Sequence, residues 1–119
     1  MSGPPVAPQI PYDPNRSVTH TPAGAGTATL DLNAAYKHNI TMPAGNITIA
    51  VSNETAGMIF TVRILQDGTG SRTVTWFAGI SWADGSAPTL TTTADKADQF
   101  VFLVTGVDTY DGHVVGQNI

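Results

Sequence analysis

The stretch Met58-Ile59-Phe60-Thr61-Val62-Arg63-Ile64-Leu65 decides the fold class. Phe60, Val62 and Ile64 alternate with Thr61 and Arg63, which is the period of two expected of a strand with one buried face. Asn46–Ser52 repeats the pattern: Ile47, Ile49 and Val51 point one way, while Asn46, Thr48 and Ala50 point the other. In Thr73–Phe77, Val74 and Trp76 share one face. Gln99–Thr105 is apolar on both faces, with Phe100, Phe102 and Val104 on one and Val101 and Leu103 on the other. Such a strand lies centrally, or buries its second face against another subunit.

Shorter strand candidates are Ala28–Leu32, Lys37–Thr41, Ile80–Trp82, Thr89–Thr93 and Val114–Gln117. Turn chemistry separates them. Asp67-Gly68, Asp84-Gly85 and Asp111-Gly112 can supply positive φ, and Pro43-Ala44-Gly45 and Ala56-Gly57 mark other reversals. No window holds a helical period; only Ala94–Gln99 could form a helical turn. No internal repeat stands out at a solenoid period. The expectation is an all-β body, an antiparallel β-sandwich or a jelly-roll-like fold, over residues 27–119.

Residues 1–26 read differently. Six of the eight prolines fall there, at Pro4, Pro5, Pro8, Pro11, Pro14 and Pro22. They predict an extended arm, able to reach roughly 60–80 Å. Val6, Ile10, Tyr12 and Val18 are spaced along it like anchors for another surface.

A chain of 119 residues is one domain by default, and 41% hydrophobic residues suffice for a core. Charged residues are only 12%, with a net charge of −4, which excludes an ordinary nucleic-acid binder. The absence of Cys excludes disulfides, thiolate metal sites and Cys nucleophiles. No apolar run approaches the roughly 20 residues of a membrane-spanning helix, and no secretory leader is apparent.

Four constellations could carry chemistry. The loop Gln66-Asp67-Gly68-Thr69-Gly70-Ser71-Arg72 could bare backbone N–H groups to an anion, or be a Gly-rich hairpin with Arg63 and Arg72 as solvated charges. His20, His38 and His113 could converge on a metal, but no ligand spacing supports this, and no metal or other cofactor is expected. Asp95, Asp98, Asp108 and Asp111 could pair for calcium binding or acid–base work, with Asp111-Gly112 already read as a turn. Trp76, Trp82 and Tyr110 could stack on sugars, or the two tryptophans could anchor a core or interface. No serine sits in a nucleophile elbow, and no catalytic residue is assigned.

The order of elements carries a resemblance. Phe60-x-Val62-x-Ile64-Leu65-Gln66-Asp67-Gly68-Thr69-Gly70-Ser71-Arg72-Thr73-Val74-Thr75-Trp76 runs on to Ile80-Ser81-Trp82. Next comes Ala87-Pro88-Thr89-Leu90-Thr91-Thr92-Thr93-Ala94-Asp95-Lys96-Ala97-Asp98-x-Phe100-x-Phe102. Thr109-Tyr110-x-Gly112 and Val115-Gly116-Gln117-Asn118 close it. Over residues 46–119 the chain resembles a β-rich module of tailed-bacteriophage virion proteins, of capsid-decoration, head-fibre and tail-fibre type. The resemblance implies a non-enzymatic virion structural protein, made in the host cytoplasm and assembled as a homotrimer. A capsid decoration (cement) role is expected, with the arm binding the major capsid protein, another virion protein or a neighbouring subunit. Val101 and Leu103 are the expected subunit interface. The alternative is a fibre or spike module that binds host-surface glycans through Trp76, Trp82 or Tyr110. Neither nucleic acid nor membrane is an expected partner.

Overall fold

The computed structural model describes residues 15–119. Nine strands follow in order: β1 Ser17–His20, β2 Thr27–Asp31, β3 Lys37–Thr41, β4 Ile47–Ser52, β5 Ile59–Leu65, β6 Val74–Thr75, β7 Ile80–Trp82, β8 Ala97–Gly106 and β9 Thr109–Gly116. One 3₁₀ turn, Ala83–Gly85, carries Asp84 and Gly85 at positive φ. Two sheets result, a six-stranded one ordered β1-β3-β5-β8-β9-β7 and a three-stranded one ordered β2-β4-β6.

The all-β expectation holds, but the antiparallel one does not. Through β6 the chain alternates between the sheets, so each strand pairs in parallel with the strand two places further on. Ser17 lies beside Lys37 and Lys37 beside Thr61 in one sheet. Thr27 lies beside Thr48, and Thr48 beside Thr75, in the other. This is a short solenoid-like winding of three rungs. Antiparallel pairing begins at β5 with β8 and continues through β8 with β9, while β7 returns parallel to β9. The repeat is invisible as sequence self-similarity. Each rung needs only inward apolar residues and a backbone ladder, and its corners differ in length.

Inward residues of the two sheets meet in one core. Ala28, Leu30, Ile47 and Ile49 of the smaller sheet pack with Ile40, Phe60, Val62, Ile64, Phe100, Phe102 and Val104 of the larger. Three strands cannot cover six. Trp76, Phe77, Trp82 and Leu90 pack against the same core as partly buried additions. Trp76 stands edge-on to Phe100, with ring centroids 4.8 Å apart, and to Trp82 at 5.2 Å.

Other local expectations change with this packing. Thr89–Thr93 forms no strand, although its β-branched residues suit one. Its backbone bonds to side chains and loops instead: Thr91 N–H donates to the Asp98 carboxylate, and Thr91 O accepts from Gln66. Ala94–Gln99 is a turn leading into β8 rather than a helical turn. Asp111-Gly112 is not a turn but the middle of β9; the reversal lies at Val107-Asp108, where Asp108 has φ 55°. Gly112 is buried and tightly enclosed: a Cβ there would lie 2.9 Å from Ile80 Cγ2 and Trp82 Cε3 and 3.0 Å from Phe102 Cε1. Val18, expected as an arm anchor, lies in β1 beside His38 of β3. Val6, Ile10 and Tyr12 fall outside the described residues.

Gly112→Ala is expected to destabilise the fold by about 1–3 kcal/mol through overpacking against these rings. Urea unfolding measures this as a lower midpoint at an unchanged slope.

Candidate functional site

The winding brings most of the chemistry-bearing side chains into the framework. The loop between β5 and β6 is a corner between sheets, not a hairpin. Its exposed N–H groups already have an anion: Asp67 Oδ1 accepts from Gly70 N at 2.8 Å and Thr69 N at 3.2 Å. Arg72, expected as a solvated charge, grips Asp67 Oδ2 through Nε at 3.1 Å and Nη2 at 3.0 Å. The Arg72 bond, then those from Gly70 and Thr69, hold the Asp67 carboxyl below its ordinary value. Gly70, at φ 76°, sits against Thr92 O so closely that no Cβ would fit. The loop thus clamps residues 91–95 and presents no cradle for a foreign anion.

Gln66 and Asp98 do similar work deeper in. Gln66 is buried, donating Nε2 to Arg72 O and Thr91 O while Oε1 accepts from Arg72 N. Asp98, 1% exposed, ties three segments together. Its Oδ2 accepts from Thr91 N at 2.7 Å and Gln117 Nε2 at 3.0 Å, and its Oδ1 from Asn118 N at 3.0 Å. Burial alone would raise its pKa, but these bonds outweigh burial and leave it below the ordinary value. Asp95 and Asp108 occupy positive-φ turn positions, and Asp111 lies in β9 opposite Leu103. The four acids therefore do not form one site.

His20 and His38 do meet, with 2.9 Å between His20 Nε2 and His38 Nδ1. His113 is exposed on β9, opposite Val101. Among the described residues, no group of three or more His, Asp or Glu side chains could hold a metal.

The aromatic residues read as sugar platforms belong to the packing. Tyr110 is 2% exposed and stands edge-on to Phe77 at 4.8 Å, so its face is closed to a glycan. Burial, with the charges of Glu54 and Asp108, pushes its phenol up to about 12. Trp82 packs edge-on against Phe102 at 5.5 Å and against Trp76.

What remains outside is the outer face of the six-stranded sheet. Ile59 and Leu103 are cross-strand neighbours there, 59% and 37% exposed. Val101, half-buried, lies opposite Thr61 on the same face. Val101 and Leu103 were legible as a second apolar face of β8; Ile59 was not singled out, although its exposed position follows from the alternation of β5. A groove of about 700 Å³ beside Ile59 is lined by Tyr36, Lys37, Met58 and Thr61. A second, of about 340 Å³, shares Lys37 and Thr61 and reaches Arg63, Gln99 and Val115.

Comparison of the chain with known protein families, with curated proteins and with solved structures gives no match.

Removing the Asp98 carboxylate strands three donors. Asp98→Ala is expected to cost about 3 kcal/mol, read from urea unfolding. The folded pKa lies below 3.8, so the carboxylate's contribution is complete above that value and is lost as pH falls through the folded pKa. Acid unfolding should therefore begin at higher pH in a chain carrying Asp98→Asn.

Proposed function

We propose that this protein is a non-enzymatic assembly protein that works as a structural component of a bacteriophage virion. The observation that carries the assembly part is the outer face of the large sheet. Ile59 and Leu103 sit side by side in the open, with half-buried Val101 beside them, on a face that no strand among the described residues covers. Contiguous apolar surface of this kind marks an interaction site more often than a chance exposure.

A second feature agrees. Asp67, Asp98, Gln66 and His38 are engaged in bonds that hold corners and strands together. A reaction centre needs groups poised towards a substrate, whereas Asp98, Gln66 and His38 are buried and Asp67 is held by Arg72 and its own loop. The virion assignment rests on the resemblance of residues 46–119 to phage structural modules. Within that class, a capsid decoration (cement) protein suits a small body with few charges, since such a surface packs against a neighbour with little charge desolvation. The proline-rich segment would bind the major capsid protein, another virion protein or a neighbouring copy, and the outer sheet face would form the contact between copies of a trimer.

The double variant Ile59→Asp/Leu103→Asp tests the contact. Both side chains are exposed, so the monomer fold should survive, read as a single cooperative urea transition of the variant. Sedimentation should show the unaltered chain as a trimer and the variant as a monomer. A monomeric unaltered chain would sink the interface. The virion assignment fails separately if mass spectrometry finds no copy of the chain in purified particles of the virus that encodes it.

A further inference from the structure

Two imidazoles meet where the first strand joins the sheet. His20 closes β1 and His38 lies in β3, in the only ladder that β1 makes among the described residues. The rings are stacked, with centroids 5.2 Å apart and planes 29° from parallel. His20 Nε2 and His38 Nδ1 are 2.9 Å apart, and His38 Nε2 is 2.9 Å from the carbonyl oxygen of Ala35.

The partners fix the hydrogens. A carbonyl only accepts, so His38 Nε2 carries a hydrogen and donates it to Ala35 O. In neutral His38, Nδ1 then holds a lone pair and accepts from His20 Nε2–H. One added proton leaves this bond intact: it goes to His20 Nδ1, on the far side of that ring, while Nε2–H still donates. A second added proton must go to His38 Nδ1. Two N–H groups then face each other, each on a cation, at a separation that had been a hydrogen bond. His38 is 1% exposed, so solvent does not screen that repulsion.

We propose that the His20–His38 pair is an acid-opened latch that holds β1 on the sheet. Neutral or singly protonated, the pair clips β1 to β3; doubly protonated, it expels β1. The latch stands whatever partner the molecule has.

The surroundings decide which element yields. Burial disfavours a charge on His38 most; the backbone carbonyls of Ala35 and Asp31 favour it, and so, least, does the Asp31 carboxylate of β2. It is itself committed to Asn53 Nδ2 at 2.7 Å and Asn33 N at 2.9 Å. Lys37, the neighbour of His38 in β3, points to the outer face. In β5 the residue in register with His38 is Val62, and in β1 it is Val18. Against Asp31 stand the burial of both rings and, for His20, the charge of His38; both imidazoles sit below their ordinary value of 6.5. The latch is therefore complete above pH 6.5 and weakens as pH falls below it, because the detached state binds more protons.

β1 is the element that gives way. It is four residues long, none fully buried, with one neighbouring strand among the described residues. β5, by contrast, buries Phe60, Val62 and Ile64 between two neighbours. Elements with few buried contacts open locally while the rest stays folded.

Backbone amide exchange by NMR on the full chain tests this, with rates corrected for intrinsic pH dependence. Between about pH 7.5 and about pH 4.5, protection in β1 should fall by about tenfold or more while that of Phe60–Ile64 stays constant. His20→Gln is the deciding variant. A glutamine amide can donate or accept by turning over, so it bonds to His38 in either protonation state, and its β1 protection should change by less than about twofold. His113→Gln should behave as the unaltered chain. β1 protection that stays level in the unaltered chain overturns the latch. So does an equal loss in His20→Gln, or a loss shared equally by β5.

Discussion

Burial of one apolar face from each of two parallel stacks is the constraint on which this structure depends. Ile40, Val62 and Ile64 on one side, and Leu30 and Ile49 on the other, are almost wholly removed from water. A fully buried side chain of this size contributes about 1.5–3 kcal/mol relative to exposure, so each of these positions weighs heavily against a net stability of about 5–15 kcal/mol. The corners are fitted to that contact. Gln66, Asp67 and Asp98 tie down the backbone groups that irregular connections would otherwise leave without partners. The aromatic set from Trp76 to Trp82 covers the core where the smaller sheet ends.

The strands were legible because Phe60-x-Val62-x-Ile64 and Ile47-x-Ile49 carry a period of two that no helix shares. The direction of pairing was not. Parallel and antiparallel strands alternate alike, and a corner such as Pro43-Ala44-Gly45 reads the same whether it reverses a strand or carries the chain to another sheet. Gly112 shows the same ambiguity: Asp-Gly signals a turn, yet here the absent side chain makes room for Trp82 and Phe102. Thr89–Thr93 misleads for the opposite reason. Its composition suits a strand, but Gln66, Asp98 and Gln117 take up its backbone groups.

The buried polar groups were the least legible. His38, Gln66 and Asp98 each depend on partners distant in sequence: His20 for the first, Thr91 for the other two. Sequence spacing carries no trace of such meetings. It did single out Val101 and Leu103, because two apolar faces on one strand demand two apolar neighbours. The core supplies one, and the other stays on the outer face of the sheet.

Cross-strand nuclear Overhauser contacts test the parallel winding most directly. The account predicts backbone contacts from Lys37 to Thr61 and from Thr41 to Leu65, with both strands running the same way. Contacts from Lys37 to Leu65 and from Thr41 to Thr61 would show an antiparallel pair, and the two-stack core would then be wrong.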